Sequence, residues 1–393
     1  MVPESTTMNN DTELFTKVRG KNKMVVDAIN LERHKGIPTK TVNIMQHDHI
    51  ERIAGAAPGD YLRKPHEVYL ACQRNIGACV LDQYLAENPL TMGNKGYEYK
   101  EATITTGLDA IYKDGILIDS PEAVIEHLER VIFPKLQKDI RTFDEIFKIK
   151  EILDRECMLQ ERIGDTIVKT GYSYFKFPTL HYTSYGYENY FMAYALYPEV
   201  IEKHFSLQAD YCILNNAAAI KATEQGGLSK LVRLDHDMAD SRGTLVSIES
   251  LDKLWFPHFA RCINPAVASG IKFIWHCDGN LTLMLPRLLN IGLKGFQGFQ
   301  YEDGMDYIKI CKMKTLDNEP LIIWAGVSVT RTLPTGKPDD VKREMKFLVE
   351  NGPGPGLFLS ASSSVTPGVP WDNMETFIEG LKYYKKYGEC SVS

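Results

Sequence analysis

The chain has 393 residues, 44% hydrophobic and 24% charged, with a formal net charge of −6 at pH 7. That length and apolar content support one large buried core, and the acidic balance argues against nucleic acid as a main partner. No apolar run approaches the roughly 18–20 residues of a membrane span and the start, Met1-Val2-Pro3-Glu4-Ser5, has no signal-peptide pattern, so a cytoplasmic protein without a membrane partner is expected.

Residues 1–38 read as an N-terminal helical extension, polar at first and then amphipathic from Lys23 to Leu31. After Gly36-Ile37-Pro38 the run Thr41-Val42-Asn43-Ile44-Met45 reads as a first strand, with Gln46-His47-Asp48-His49 at its tip. Ala78-Cys79-Val80-Leu81 reads as a second strand, ending at Asp82-Gln83-Tyr84. Ser120 to Leu159 carries apolar residues at helical spacing. Between 166 and 190 Tyr172, Tyr174, Phe175, Phe177, His181, Tyr182, Tyr185, Tyr187 and Tyr190 crowd around Pro178. Such rings pack cores, and beside a strand tip they also suit a pocket for a flat ligand, with His181 and Tyr182 as contact candidates. Pro198 to about Gln225 is helical in pattern, and a last helix is expected from Trp371 to about Tyr387.

Four further runs share one grammar. Leu231–Leu234 ends in Asp235-His236-Asp237, Ile271–Trp275 in His276-Cys277-Asp278-Gly279-Asn280, Gly295–Phe299 in Gln300-Tyr301-Glu302, and Leu321–Ala325 in Gly326-Val327-Ser328. Strand side chains alternate faces, so His276 and Asp278 share a side and Cys277 points away. Strand, polar tip and helix repeated at intervals of roughly 25–40 residues predict parallel β/α units. The expected fold is α/β, a (β/α)8 TIM barrel over 39–393, with chemistry at the C-terminal strand tips. The eight cysteines form no C-x-x-C pair and read as free thiols in a reducing compartment. No G-x-G-x-x-G or G-K-[ST] loop supports nucleotide chemistry.

Asp235-His236-Asp237 running to Arg242-Gly243, the helix Ser247 to Trp255-Phe256-Pro257, Gly270-Ile271 to His276-Cys277-Asp278-Gly279-Asn280, Thr330-Arg331-Thr332-Leu333 and Pro367 to Asn373 occur in an order that resembles the uroporphyrinogen decarboxylase superfamily, which includes corrinoid-dependent methyltransferases. The departures matter. Where the decarboxylases carry R-Q-A-G-R to hold propionates, this chain has Gln46-His47-Asp48-His49; Tyr84 stands at the place of their essential aspartate and Ser363 at that of their late histidine. Asp235, Asp237 and Asp278 would repel a polycarboxylate. Thiol-methylating members hold zinc through H-x-C and a later cysteine; here those places are His276-x-Asp278 and Ser360–Ser364.

The resemblance therefore implies a methyltransferase of O-demethylase type. Asp237, His276 and Asp278 are expected to hold zinc, which suits a hard oxygen-rich donor set. His47, His49, Asp237, His276 and Asp278 are the catalytic candidates, the histidines as proton carriers for a phenol leaving group. Tyr84, His181, Tyr182, Gln297 and Gln300 are the substrate-contacting candidates, with Arg242 bracing Asp237. A small methoxylated, aromatic or methylated donor and a separate corrinoid protein that supplies the cobalt are the expected partners, and a homodimer is plausible. Against these stand bland roles: a His276–Asp278 pair that stiffens a loop, and Asp235 and Asp237 as helix caps. The competing functions are a metal-free lyase acting on a smaller carboxylate, and a non-catalytic binding protein.

Overall fold

The strands form where apolar runs are bounded by glycine or polar tips. The computed structural model describes residues 6–41, 43–87, 111–298 and 304–389, and the strands at issue are β1 (Val80–Leu81), β2 (Val168–Lys169), β3 (Gly171–Tyr172), β4 (Leu231–Asp235), β5 (Lys272–His276), β6 (Gly295–Gln297), β7 (Ile322–Val327) and β8 (Leu357–Ala361). Six of them make one sheet in the order β8-β7-β6-β5-β4-β3, all parallel. β2 runs through Thr170 into β3 and pairs with β1. Beyond β1, the Cys79 N–H donates to Thr39 O at 2.8 Å, and the Lys40 N–H to Leu359 O of β8 at 3.0 Å. The fold is thus TIM-barrel-like: a regular six-stranded arc, with the rest of the ring held by a two-residue pairing and isolated bridges.

The expected first strand over Thr41–Met45 does not form as a regular ladder. Isolated bridges join Thr39 to Leu359 and Ile44 to Val365, and Pro38, lacking an N–H, accepts from Leu359 but donates nothing. Its expected tip is instead the start of the helix His47–Ala54. Positions i and i+2 share a face on a strand but diverge by about 200° on a helix, so His47 and His49 do not converge. β2/β3 and β8 were not expected as strands; tyrosines mark the first and serines the end of the second, and neither shows a clean alternation.

The outer layer follows its local signals. Ser120, Asp144 and Ser247 each accept a backbone N–H at a helix start, which satisfies orphan donors there. The long helix Pro198–Gly226 and the last helix Trp371–Tyr387 match the expected spans. Of the N-terminal extension, helices Thr6–Lys21 and Lys23–Ile29 close the base of the barrel: Val18, Val25, Ala28 and Ile29 join Val80, Val168, Leu231, Ile274, Ile322, Trp324 and Phe358 in one buried cluster. The Lys272 ammonium, at the start of β5, donates to Ile29 O at 2.7 Å. Among the described residues, no helix is long and apolar enough to cross a membrane.

Candidate functional site

Register brings the site together. Asp235 at the end of β4 pairs with His276 at the end of β5, which in turn pairs with Gln297 of β6, and register partners in parallel strands point to the same face. One ligand atom each from Asp235, Asp237 and His276 lie within 4.8 Å of one another. Asp278 sits beside them: its N–H donates to Asp237 Oδ1 at 3.0 Å, and its Oδ1 lies 3.9 Å from His276 Nε2. Ser363 reaches across from β8 to Asp278 Oδ2 at 3.5 Å. His276 is 7% exposed, and its Nδ1 finds no hydrogen-bond partner among the described residues. Gly298, at φ +81°, passes over this ring so closely that a Cβ would stand 2.7 Å from Nδ1, so only glycine fits. Burial pushes the Asp278 carboxyl up against the pull of His276, and the like charges of Asp237 and Asp235 add to the rise.

Beneath this cluster the barrel interior holds a chain of alternating charges. Lys40, fully buried, pairs with Asp82 at 2.8 Å and sits 3.9 Å from the Trp324 ring centroid. Arg233 spans Asp82 at 2.5 Å and Asp235 at 2.7 Å. Burial alone would raise the Asp82 carboxyl, but Arg233 and Lys40 outweigh it and hold it well below the usual range. Burial pushes the Lys40 ammonium down to about 7, with Asp82 pulling the other way. Lys40 and Arg233 are thus both committed to carboxylates of the protein.

The tyrosine-rich segment braces the β4 tip. Tyr172 donates to Asp235 Oδ2 at 3.2 Å, Tyr182 donates to Asp237 O at 2.7 Å, and the Leu180 N–H donates to His236 Nε2 at 2.9 Å. Tyr174, Tyr185 and Tyr190 are buried in the core. Tyr172 and Tyr182 thus spend their hydroxyls on positioning the β4 tip, and the other rings pack. Because His236 accepts a backbone N–H, its Nε2 must stay unprotonated. Burial, with His181 nearby, lowers its pKa to about 4 despite Asp235, against the 6.5 of a free imidazole. Between these values the unfolded chain binds more protons, so stability falls as pH drops from about 6.5 to 4. Urea titrations across that range should show the loss, on the order of 2–3 kcal/mol, shrinking in His236→Gln; an unchanged pH slope in the variant refutes the assignment.

The remaining sequence candidates lie elsewhere. His47 packs on Tyr61, with ring centroids 5.2 Å apart, and His49, buried, meets Trp371 edge-on at 5.5 Å. Tyr84 stacks on His66 and receives Tyr69 edge-on, contacts on the outer helices. His181 lies against His204, centroids 4.8 Å apart. Gln300 and Glu302 lie outside the described residues. Arg242 pairs with Asp240 at 2.6 Å rather than with Asp237, because the two share a tight hairpin (Ala239–Asp240 with Gly243–Thr244). Cys277 is fully buried, with its Sγ accepting the Met238 N–H at 3.1 Å. What the sequence reading passed over is Tyr172, Arg233, Lys40, Asp82, Asn43 and Ser360. Arg233 left one signal, a charged residue two before Asp235 in an otherwise apolar strand.

The donor set of Asp235, Asp237 and His276 fits a hard or borderline divalent ion such as zinc: two carboxylates and one imidazole with ligand atoms close together, and a neighbouring carboxylate on the Nε2 side of the ring. It differs from the expected trio in having Asp235 where Asp278 was expected. An apolar cleft of 480 Å³ between the N-terminal helices and Leu228 lies at the base, at the opposite end of the barrel.

No family model matches the chain, and no curated protein is similar to it by sequence. Among solved structures, a methyltransferase from Methanosarcina mazei superposes with a TM-score of 0.54 at 16% identity, over 92% of this chain and 98% of that one. A putative vitamin-B12-independent methionine synthase from Listeria monocytogenes gives 0.42 at 15% identity, over 89% of this chain and 97% of that one. The first likeness shows the barrel-like fold.

Proposed function

We propose that this chain is a methyltransferase that takes a methyl group from the oxygen of a small methoxylated compound and passes it to the cobalt(I) of a corrinoid carried by a separate protein. The observation that carries the reading is the convergence of Asp235, Asp237 and His276 at neighbouring strand tips, an oxygen-rich set without a thiolate. The methyltransferase named among the structural neighbours, and the resemblance to the uroporphyrinogen decarboxylase superfamily, point the same way. Asp235, Asp237 and His276 would hold zinc, which when bound supplies Lewis acidity to the donor oxygen. Tyr172 and Arg233 hold Asp235, and Tyr182 with the Asp278 N–H holds Asp237, so both carboxylates are oriented before substrate arrives. Asp278, its carboxyl pushed up by burial, stands beside this set as the candidate group for proton transfer to the departing oxygen. A carboxylate-binding lyase fits less well, since Lys40 and Arg233 are already paired inside the barrel.

The test is anaerobic. The zinc-supplied protein is mixed with cobalt(I) corrinoid, free or on candidate carrier proteins, and a panel of methoxylated compounds, and the corrinoid spectrum is followed. Formation of the methylated corrinoid with one donor supports the reading; an unchanged spectrum with every donor and carrier defeats it.

A further inference from the structure

The inward-facing layer at the barrel mouth is polar on the side away from Asp235. Gln297 is 1% exposed and registered with His276 and Trp324, so its amide points inward beside the histidine. Trp324 belongs to the interior cluster; two residues further along β7 is Gly326, where a Cβ would stand 2.1 Å from Ser362 N, so β7 presents no side chain beyond the indole. Its register partner on β8 is Ser360, fully buried and on the same face as Phe358 of the interior cluster. The ring continues into Asn43, 1% exposed, whose neighbour Ile44 packs in the outer core and so leaves Asn43 on the opposite face.

All five side-chain polar atoms of this arc, Oδ1 and Nδ2 of Asn43, Oε1 and Nε2 of Gln297, and Oγ of Ser360, lack a hydrogen-bond partner among the described residues. A buried group of this kind destabilises the fold unless something pairs with it. Two whole amides and a serine hydroxyl around a side-chain-free glycine leave the unmet hydrogen bonds of a ligand.

We propose that Asn43, Gln297 and Ser360 bind a neutral hydroxyl or amide group of the substrate, holding the donor with its reacting oxygen toward His276. Each amide offers one donor and one acceptor set, which complements a group that both donates and accepts. A carboxylate only accepts, and it would stand near Asp235, Asp237 and Asp278. The choice of probes rests on the methyl-donor reading, but the inference concerns binding.

Calorimetry on the intact protein with matched pairs separates the two: 2-methoxyphenol against methoxybenzene, and 2-methoxyethanol against 1,2-dimethoxyethane. The hydroxylated member of at least one pair is expected to bind about tenfold or more tightly. Gln297→Leu and Asn43→Leu are expected to abolish that preference and to leave the melting temperature unchanged or raised, since neither amide has a partner to lose among the described residues. Equal binding within both pairs, no binding of any probe, preference retained in both variants, or a clear fall in melting temperature overturns the inference. Preference without methyl transfer to corrinoid leaves it standing and counts against the proposed reaction alone.

Discussion

His276→Ala is expected to lower methyl transfer by about 10²–10³-fold, the scale of removing one preorganised electrostatic group from a shielded site. His276 is the sole imidazole in the Asp235/Asp237/His276 group, so its loss leaves two carboxylates that bind a divalent ion with poor geometry. The fold should survive. The ring nitrogen Nδ1 has no described partner, and Gly298 arches over the ring rather than packing a side chain on it, so the cost in stability should stay within about 2 kcal/mol. Two measurements decide: zinc content by elemental analysis, expected to fall with activity, and urea denaturation, expected to change little. Full zinc content with lost activity would move His276 from ligand to proton carrier; activity lost only through unfolding would remove it from the site.

Arg233→Met is expected to destabilise the protein by about 3–5 kcal/mol, the usual cost of stranding a buried charge. The guanidinium is 2% exposed and joins Asp82 to Asp235. Without it, among the described residues, Asp82 keeps Lys40, itself drawn toward neutrality by burial, and Asp235 keeps the Tyr172 hydroxyl. The double variant Arg233→Met/Asp82→Leu should recover part of the loss, because removing both members leaves fewer unpaired charges. Urea midpoints of the two variants check this, and a single variant within 1 kcal/mol of the parent would show that solvent or rearrangement supplies the missing charge. Acid should act in the same direction as the substitution. The depressed Asp82 carboxyl contributes stability above its unfolded pKa, and this is lost as pH falls below about 4.

Much of the architecture is local information. Leu231–Asp235, Lys272–His276, Gly295–Gln297 and Ile322–Val327 announce themselves by apolar runs ending in polar tips, and Trp371–Tyr387 by its periodicity, because each element buries its own face and needs only its own residues to specify that face. The same locality explains the errors. His47 and His49 were expected together at a strand tip, and the helix His47–Ala54 turns their rings apart. Arg242 paired with Asp240, two residues away in a hairpin, because a short loop closes more readily than a long one.

Which groups meet at the mouth was a different kind of question. That Asp235 stands level with His276, that Arg233 reaches from β4 to Asp82, and that Asn43, Gln297 and Ser360 share one arc all depend on strand register and closure of the ring. Residues far apart in the chain become neighbours there, and no single strand carries its own register, because register is a relation between strands, settled by packing the whole barrel against its helices and its N-terminal plug.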